Sequence, residues 1–102
     1  MASDDQPVLT ISVAAQLLGL HPRTLMLYER AKLILPFRTG TNRRMFSIKN
    51  LELLQFIKFM TQDEGVNLRG VKIFLDAEEV ALRTGVNLRE FLFPNFKTKA
   101  LI

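Results

Sequence analysis

"ISVAAQLLGLHPRTLMLYER", residues 11–30, contains two short helical patterns with a helix stop between them. Gly19 is a residue type that readily ends a helix, because glycine adopts the left-handed conformation at little cost. Pro22 suits the first position of a second helix, and His21 would then be its N-cap. Two short helices separated by about three residues form a helix-turn-helix unit. The segment therefore predicts a helix-turn-helix.

The first of these helices is expected to have Ser12 as its N-cap. Its apolar side chains recur at helical spacing in two adjacent rows, Val13, Leu17 and Leu20 in one and Ala14 and Leu18 in the other. A helix of about two turns is not stable alone in water. It is therefore predicted to pack against other elements.

Two β-favouring runs and a loop-forming segment follow: "LILPF" (33–37), "RTGTN" (38–42) and "RRMF" (43–46). Gly40 and Asn42 are expected to provide the positive φ that a tight hairpin tip requires. Pro36 cannot donate a ladder hydrogen bond, so the first strand should be an edge strand or only partly paired. A small two-stranded hairpin directly after a helix-turn-helix is a wing.

Two longer helical patterns and an apolar tail complete the chain. Ser47 is predicted to cap a helix that ends near Gly65, and Asn67 to cap the next one. The inward faces are expected to hold Leu53, Phe56, Ile57 and Met60 in the first helix and Val71, Phe74, Leu75 and Leu82 in the second. Pro94 interrupts the tail, whose phenylalanines are expected to cover the core or meet a partner: Phe91, Phe93 and Phe96.

The composition argues against an enzyme, a metal site and a membrane protein. The chain has no cysteine and one histidine, which excludes thiolate zinc sites, disulfides and multi-histidine metal sites, so no cofactor is predicted. Asp76, Glu78 and Glu79 diverge around a helix and are expected to form a solvated face. No apolar run approaches the roughly 18 residues of a membrane span, and the acidic start is unlike a signal peptide. We expect a cytoplasmic protein.

Positive charge is concentrated in the first half of the chain. Between Arg23 and Lys49 there are seven basic residues and one acidic residue, a local balance of +6, although the whole chain carries only +4. A local excess of this kind is typical of a surface that binds a polyanion. An ordinary solvated surface is the alternative interpretation.

The second helix of a helix-turn-helix enters the major groove, where its first residues reach base edges. Arg23 could contact guanine or a phosphate, and Thr24 a phosphate or a thymine methyl group. Tyr28 is equally suited to the core. The candidate DNA contacts are His21, Arg23, Thr24, Leu27, Tyr28, Arg30, Arg38, Asn42, Arg43 and Arg44.

With these motifs in order, residues 9 to 76 resemble the DNA-binding domain of the MerR family of transcriptional regulators. The family pattern runs from T-x-x-L-R-x-Y-E-R-x-G-L-x-x-P through a wing with G-x-R-x-Y to a leucine-rich helix, and "EGVNLRGVKIFL" looks most like the heat-shock-repressor branch, HspR. The resemblance implies that Arg23 and Thr24 begin the recognition helix, that Tyr28 is the motif tyrosine, and that Arg44 is the wing arginine that grips phosphate.

The chain departs from the family pattern at two positions of this segment. Met26 stands where the pattern usually has arginine, which removes one expected contact to the DNA backbone. Lys32 stands where it has glycine, which predicts a different helix end or a strained lysine at a cost of about 1 kcal/mol. In the wing, strand alternation puts Arg43 on the face opposite Arg44, and Phe46 on the face of Arg44 as an anchor to the core.

The expected protein is mainly α-helical, a winged helix-turn-helix with a two-stranded wing and additional C-terminal helices. We expect a disordered lead at residues 1–8, a DNA-binding domain at residues 9–84, and an apolar tail at residues 85–102 that covers the core or dimerises. Its expected function is that of a repressor-like bacterial regulator without an effector-sensing domain, binding double-stranded DNA as a homodimer or a tandem assembly. The alternatives are a protein-binding module, such as a co-chaperone modulator, and a DNA-bending recombination factor.

Overall fold

A computed structural model describes residues 3–102, and within them the chain forms five helices and a small antiparallel sheet. The elements are β1 Leu9–Thr10, α1 Ile11–Leu18, α2 Pro22–Arg30, β2 Phe37–Arg38, β3 Arg44–Phe46, α3 Ile48–Lys58, α4 Leu68–Arg83 and α5 Leu88–Leu92. A π-helical turn, Phe59–Asp63, continues α3. The prediction of a mainly α-helical winged helix-turn-helix is confirmed. No helix in this described part of the chain is long and apolar enough to cross a bilayer.

The sheet has three strands in the order β1-β3-β2, whereas the sequence predicts only the β2–β3 hairpin. The additional strand, β1, pairs antiparallel with β3, with Leu9 opposite Phe46. It has two residues, which is too short for any sequence periodicity to identify. The sequence predicts the first wing strand within residues 33–37, but of these residues only Phe37 joins the ladder. Leu33 and Ile34 are buried instead.

Helix ends follow local sequence at all but one of the predicted caps. Gly19 ends α1 with φ of 68°, and the His21 side chain accepts a hydrogen bond from the Arg23 N–H at 3.0 Å. Ser12 is not the cap of α1, because the Thr10 hydroxyl accepts from the Val13 N–H at 3.3 Å. The helix therefore begins two residues earlier than predicted, and Val13 is 42% exposed while its neighbour Ala14 is buried.

The core lies between α1, α2, α3 and the sheet. Its largest fully buried side chains are Phe46, Phe56, Leu25, Leu54, Ile57 and Val71. Phe46 ends β3 with no exposed surface, so the predicted anchor of the wing to the core is confirmed. From α4, Phe74 and Leu75 pack against the core as expected, whereas Leu82 is 55% exposed and does not pack against it, so its predicted inward position is wrong.

The two ends of the chain both contact α3 or the strand before it. Residues 1 and 2 of the expected disordered lead lie outside the described residues. In residues 3–8, the Asp4 carbonyl accepts from the Lys49 N–H at 3.0 Å, and the Val8 N–H donates to the Phe46 carbonyl at 3.1 Å. At the other end, the Gln55 side-chain amide both donates to the Lys99 carbonyl and accepts from the Lys99 N–H, each at 2.8 Å.

Two tail phenylalanines complete an aromatic cluster, and the third does not. The rings of Phe93 and Phe96 lie 6.0 and 5.3 Å from the Phe56 ring. Phe91 is 79% exposed, so it does not cover the core, and of its two expected roles contact with a partner stays a prediction. Phe91 belongs to α5, a helix of only five residues, and its side chain is on the side of that helix that faces solvent.

Glu78 contradicts the prediction that the acidic residues of α4 form a solvated face. Its side chain is 11% exposed, and its two oxygens accept from Arg89 Nε and Nη2 at 2.7 and 2.6 Å. The Arg89 guanidinium also lies 3.9 Å from the centre of the Phe56 ring. Because Arg89 belongs to α5, a reading of α4 alone could not identify this ion pair.

We expect Arg89→Ala to lower the free energy of unfolding by about 2 to 3 kcal/mol, because it leaves a buried carboxylate without its partner. Arg83→Ala is the matched control, since Arg83 pairs with Glu79 on the same helix but both side chains are about 70% exposed. That pair should contribute less than about 0.5 kcal/mol. Urea unfolding at neutral pH compares them, and equal losses would contradict the assignment.

Candidate nucleic-acid interface

The second helix of the helix-turn-helix, α2, presents a polar outer face and an apolar inner face. Arg23, Leu27 and Arg30 follow at i, i+4 and i+7 and are all exposed, as the sequence predicts. Leu25 and Tyr28, on the inner face, are 0% and 3% exposed. The side chains available to a ligand on α2 therefore form one continuous row along the helix.

Tyr28, one of the candidate DNA contacts, belongs to the core. Its ring is buried, and its hydroxyl is hydrogen-bonded to the Thr61 hydroxyl at 3.3 Å. Thr61, in the π-helical turn, in turn donates to the Ile57 carbonyl of α3 at 2.9 Å. Of the two interpretations of Tyr28 that the sequence leaves open, the structure therefore supports packing, and this residue is removed from the interface.

The turn between α1 and α2 is held by a lysine that the sequence does not single out. Lys58 Nζ, at the end of α3, donates to the Leu18 carbonyl at 2.7 Å. This carbonyl is in the last turn of α1, where backbone acceptors lack intrahelical partners. Lys58 thus fixes the helix-turn-helix against α3, and only a contact across 40 residues of sequence identifies its role.

The hairpin tip is closed by hydrogen bonds within residues 39–43. The Thr39 N–H donates to the Arg43 carbonyl at 3.0 Å, and the Asn42 N–H donates to the Thr39 carbonyl at 2.8 Å. Asn42 has φ of 64°, as predicted, whereas Gly40 does not have positive φ, so that prediction is wrong. One left-handed residue is sufficient because the Thr39 hydroxyl also accepts from the Arg43 N–H at 3.1 Å.

Glu29, on α2, joins the recognition helix to the wing through two arginines. Its Oε2 accepts from Arg38 Nη2 at 3.0 Å, and its Oε1 accepts from Arg44 Nε at 2.5 Å. Arg38 also donates from Nη1 to the Asn42 carbonyl at 3.2 Å. We refer to Glu29, Arg38 and Arg44 as the wing ion cluster. Arg43 lies just before β3 and is exposed, and within residues 3–102 it makes no ion pair, so its placement on the face opposite Arg44 stays a prediction.

The wing ion cluster changes the ionisation of its carboxylate. Burial by itself would raise the pKa of Glu29, but the hydrogen bonds and positive charges of Arg44 and Arg38 outweigh it. The pKa of Glu29 therefore lies below its ordinary value, and the carboxylate stays charged to a lower pH than an isolated glutamate.

Comparison with known proteins identifies the family of this domain. The sequence profile of the family described as "MerR HTH family regulatory protein" matches residues 9–78, more than half of the chain. The chain belongs to the MerR family. The match includes α1, α2, the wing, α3 and most of α4, so the whole candidate interface lies inside it.

Two kinds of curated relatives are similar to this MerR-family chain. It is 47% identical over 76 residues to the heat shock protein HspR of Streptomyces coelicolor, an alignment that covers 74% of this chain and 50% of that protein. It is 36% identical over 73 residues to the HTH-type transcriptional regulator GlnR of Bacillus anthracis, covering 72% of this chain and 56% of that protein. The chain thus spans about half the length of the curated relatives it matches.

The end of α2 shows what one departure from the MerR pattern does. Lys32, where the pattern has glycine, has φ of 62°, the left-handed conformation that favours glycine. The Lys32 N–H donates to the Glu29 carbonyl and the Leu33 N–H donates to the Tyr28 carbonyl, which satisfies the helix end. The sequence-based expectation of a strained lysine is therefore confirmed, and the helix end is unchanged.

We predict that Lys32→Gly raises the free energy of unfolding by about 0.5 to 1 kcal/mol, because it removes this strain. Gly19→Ala is the reciprocal control, since Gly19 has φ of 68° and a Cβ there would meet only Lys58 Nζ at 3.6 Å, an ordinary contact. It should lose a similar amount through backbone strain alone. Thermal or urea unfolding measures both, and a destabilised Lys32→Gly variant would contradict the prediction.

The wing ion cluster also predicts a pH dependence. Because the pKa of Glu29 is lowered by folding, its contribution is complete above the ordinary glutamate pKa and is lost as pH falls through the folded value. Glu29→Gln lacks this contribution. We therefore expect the stability difference between the natural chain and Glu29→Gln to be largest at neutral pH and to shrink in acid, as measured by urea unfolding across pH. A difference that does not depend on pH would contradict this assignment.

Proposed function

We propose that this MerR-family chain is a sequence-specific, double-stranded DNA-binding regulator of transcription, repressor-like in action. In the proposed complex α2 lies in the major groove and the wing lies on the neighbouring sugar-phosphate backbone. The relative GlnR is named as a transcriptional regulator and HspR as a heat shock protein, which supports this class of function. The proposal includes the cytoplasm as the site of action, because bacterial DNA lies there.

The observation that carries the proposal is the row of exposed side chains on α2 beside a wing of basic residues. Arg23 and Thr24 lie in the first turn of α2, which is where a recognition helix contacts base edges. Leu27 is 45% exposed on the same row, where it suits contact with a thymine methyl group. Arg30 and Arg43 are exposed and are assigned to phosphates.

His21 has a defined role at the start of this row. Its Nδ1 accepts from the Arg23 N–H at 3.0 Å, so the neutral imidazole carries its proton on Nε2. His21 is exposed, and this Nε2–H can donate to a phosphate oxygen. The same residue would therefore cap α2 and help to set its register on the duplex.

We predict that Arg23→Ala and Arg44→Ala weaken DNA binding in different ways. Arg44→Ala should weaken binding to all sequences and reduce the slope of log affinity against log salt by about 0.9, because one phosphate contact is lost. Arg23→Ala should change which sequences are enriched from a random DNA pool. Anisotropy titration at several salt concentrations, with selection from the pool, measures both effects.

Arg83→Ala is the control for these variants, because it removes the same charge from an exposed position on α4. It should leave both the salt slope and the selected sequence unchanged. An Arg44→Ala variant with unaltered affinity and slope would show that the wing is not a DNA contact. Absence of any enriched sequence for the natural chain would overturn the proposed function.

Self-association is part of the proposal, because a single module of this size usually binds DNA weakly. Several large apolar side chains are exposed in α4 and α5, among them Ile73 at 60%, Val80 at 58% and Phe91 at 79%. Their exposure supports either a homodimer or contacts between copies arranged in tandem on DNA. Sedimentation with and without DNA distinguishes the two, since a dimer forms in both conditions and a tandem assembly only on DNA.

The same exposed side chains favour one alternative, a protein-binding module. Less apolar surface remains for it than the sequence suggests, because Phe93 and Phe96 pack against Phe56. The exposed arginines of α2 and the wing favour DNA. A chain that selects no DNA sequence would turn the assignment towards the protein-binding module, and one that bends circularly permuted fragments would turn it towards a DNA-bending factor.

A further inference from the structure

The guanidinium of Arg44 is held by one nitrogen and leaves two others unused. Arg44 Nε donates to Glu29 Oε1, and in the described part of the chain neither Nη1 nor Nη2 of Arg44 makes a hydrogen bond. The guanidinium is planar, so fixing Nε fixes the direction of the remaining N–H groups. The Arg44 side chain is 27% exposed, which leaves part of it accessible from solvent.

Glu29 is itself fixed from the other side. Its second oxygen accepts from Arg38, whose Nη1 donates to the Asn42 carbonyl at the hairpin tip. Glu29 lies in the last turn of α2, so its carboxylate connects the recognition helix to both strands of the wing. With only 19% of its side chain exposed, it has little freedom to rotate away.

We propose that Glu29 is a positioning residue for DNA binding: it orients Arg44 so that the Nη1 and Nη2 groups meet a phosphate of the duplex. The inference rests on the proposed function, since it requires that the wing contacts DNA. A pre-oriented arginine loses less side-chain entropy when it binds phosphate, and its two N–H groups match the spacing of phosphate oxygens. Glu29 acts through Arg44 and does not touch DNA.

Simple electrostatics makes the opposite prediction for this residue. A carboxylate among basic residues repels phosphate, so its removal should tighten binding to DNA and should not reduce the salt slope. Orientation of Arg44 predicts weaker binding and a smaller slope for the same change. The sign of the effect therefore decides between the two roles.

The experiment compares Glu29→Gln, Arg44→Lys, Arg44→Ala and the double variant Glu29→Gln/Arg44→Ala by anisotropy titration on a selected duplex at several salt concentrations. We expect Glu29→Gln to weaken binding about five- to tenfold and to reduce the salt slope by about 0.9, as Arg44→Ala does. Arg44→Lys should lose nearly as much, because lysine cannot donate to Glu29 and present a second planar pair of N–H groups to phosphate.

The double variant separates orientation of Arg44 from general support of the wing. If Glu29 acts through Arg44, then Glu29→Gln should produce no further loss in the Arg44→Ala background. Glu79→Gln is the matched control, because it removes a carboxylate from an arginine pair on the exposed side of α4 and should leave affinity unchanged. Circular dichroism and urea unfolding test whether each variant keeps the fold.

Each outcome has a defined meaning. Tighter or equal binding by Glu29→Gln, or an equal loss in the natural and Arg44→Ala backgrounds, would overturn the positioning role while leaving DNA binding intact. A natural chain that binds no duplex would instead overturn the proposed function. Weaker binding by Glu29→Gln, with no further loss when the same change is made in the Arg44→Ala background, supports the inference.

Discussion

Phe56, buried on α3 with no exposed surface, is the contact on which both halves of the structure depend. Rings from α4 and the tail lie around it, Phe74 at 5.6 Å and Phe96 at 5.3 Å, and the Arg89 guanidinium covers one face at 3.9 Å. Because α3 is held rigidly there, Lys58 at its end can in turn hold α1. The short helices of the DNA-binding unit are thus stabilised by tertiary packing, as helices of this length require.

The wing has a similar dependence on contacts outside itself. A two-stranded hairpin is marginally stable alone. Here β1 adds a third strand, Phe46 inserts into the core, and the carboxylate of Glu29 binds arginines from both wing strands. The wing and α2 are therefore connected by charge as well as by packing. This connection joins two residues that lie 15 positions apart in the sequence, Glu29 and Arg44.

The elements that the sequence predicts well are those set by neighbouring residues. Gly19, His21 and Asn67 occupy the cap positions expected of them, since a cap is a hydrogen bond within about three residues. Two local predictions failed, Ser12 as the cap of α1 and positive φ at Gly40, but the other failures concern partners distant in sequence. The additional strand β1 exists only through β3, and Glu78 is buried only because Arg89 reaches it from α5.

The features of the candidate interface likewise fall into two groups, those set by short segments of sequence and those set by tertiary contacts. The sequence by itself determined the helix-turn-helix, the hairpin tip at Asn42, the local excess of positive charge and the MerR resemblance, because periodicity, capping and charge are properties of short segments. Only the tertiary structure decided that Tyr28 is core, that Lys58 caps α1, and that Arg38 and Arg44 share Glu29. The physical reason is that burial and ion pairing depend on which side chains meet in space, and these partners lie 9 to 40 residues apart along the chain.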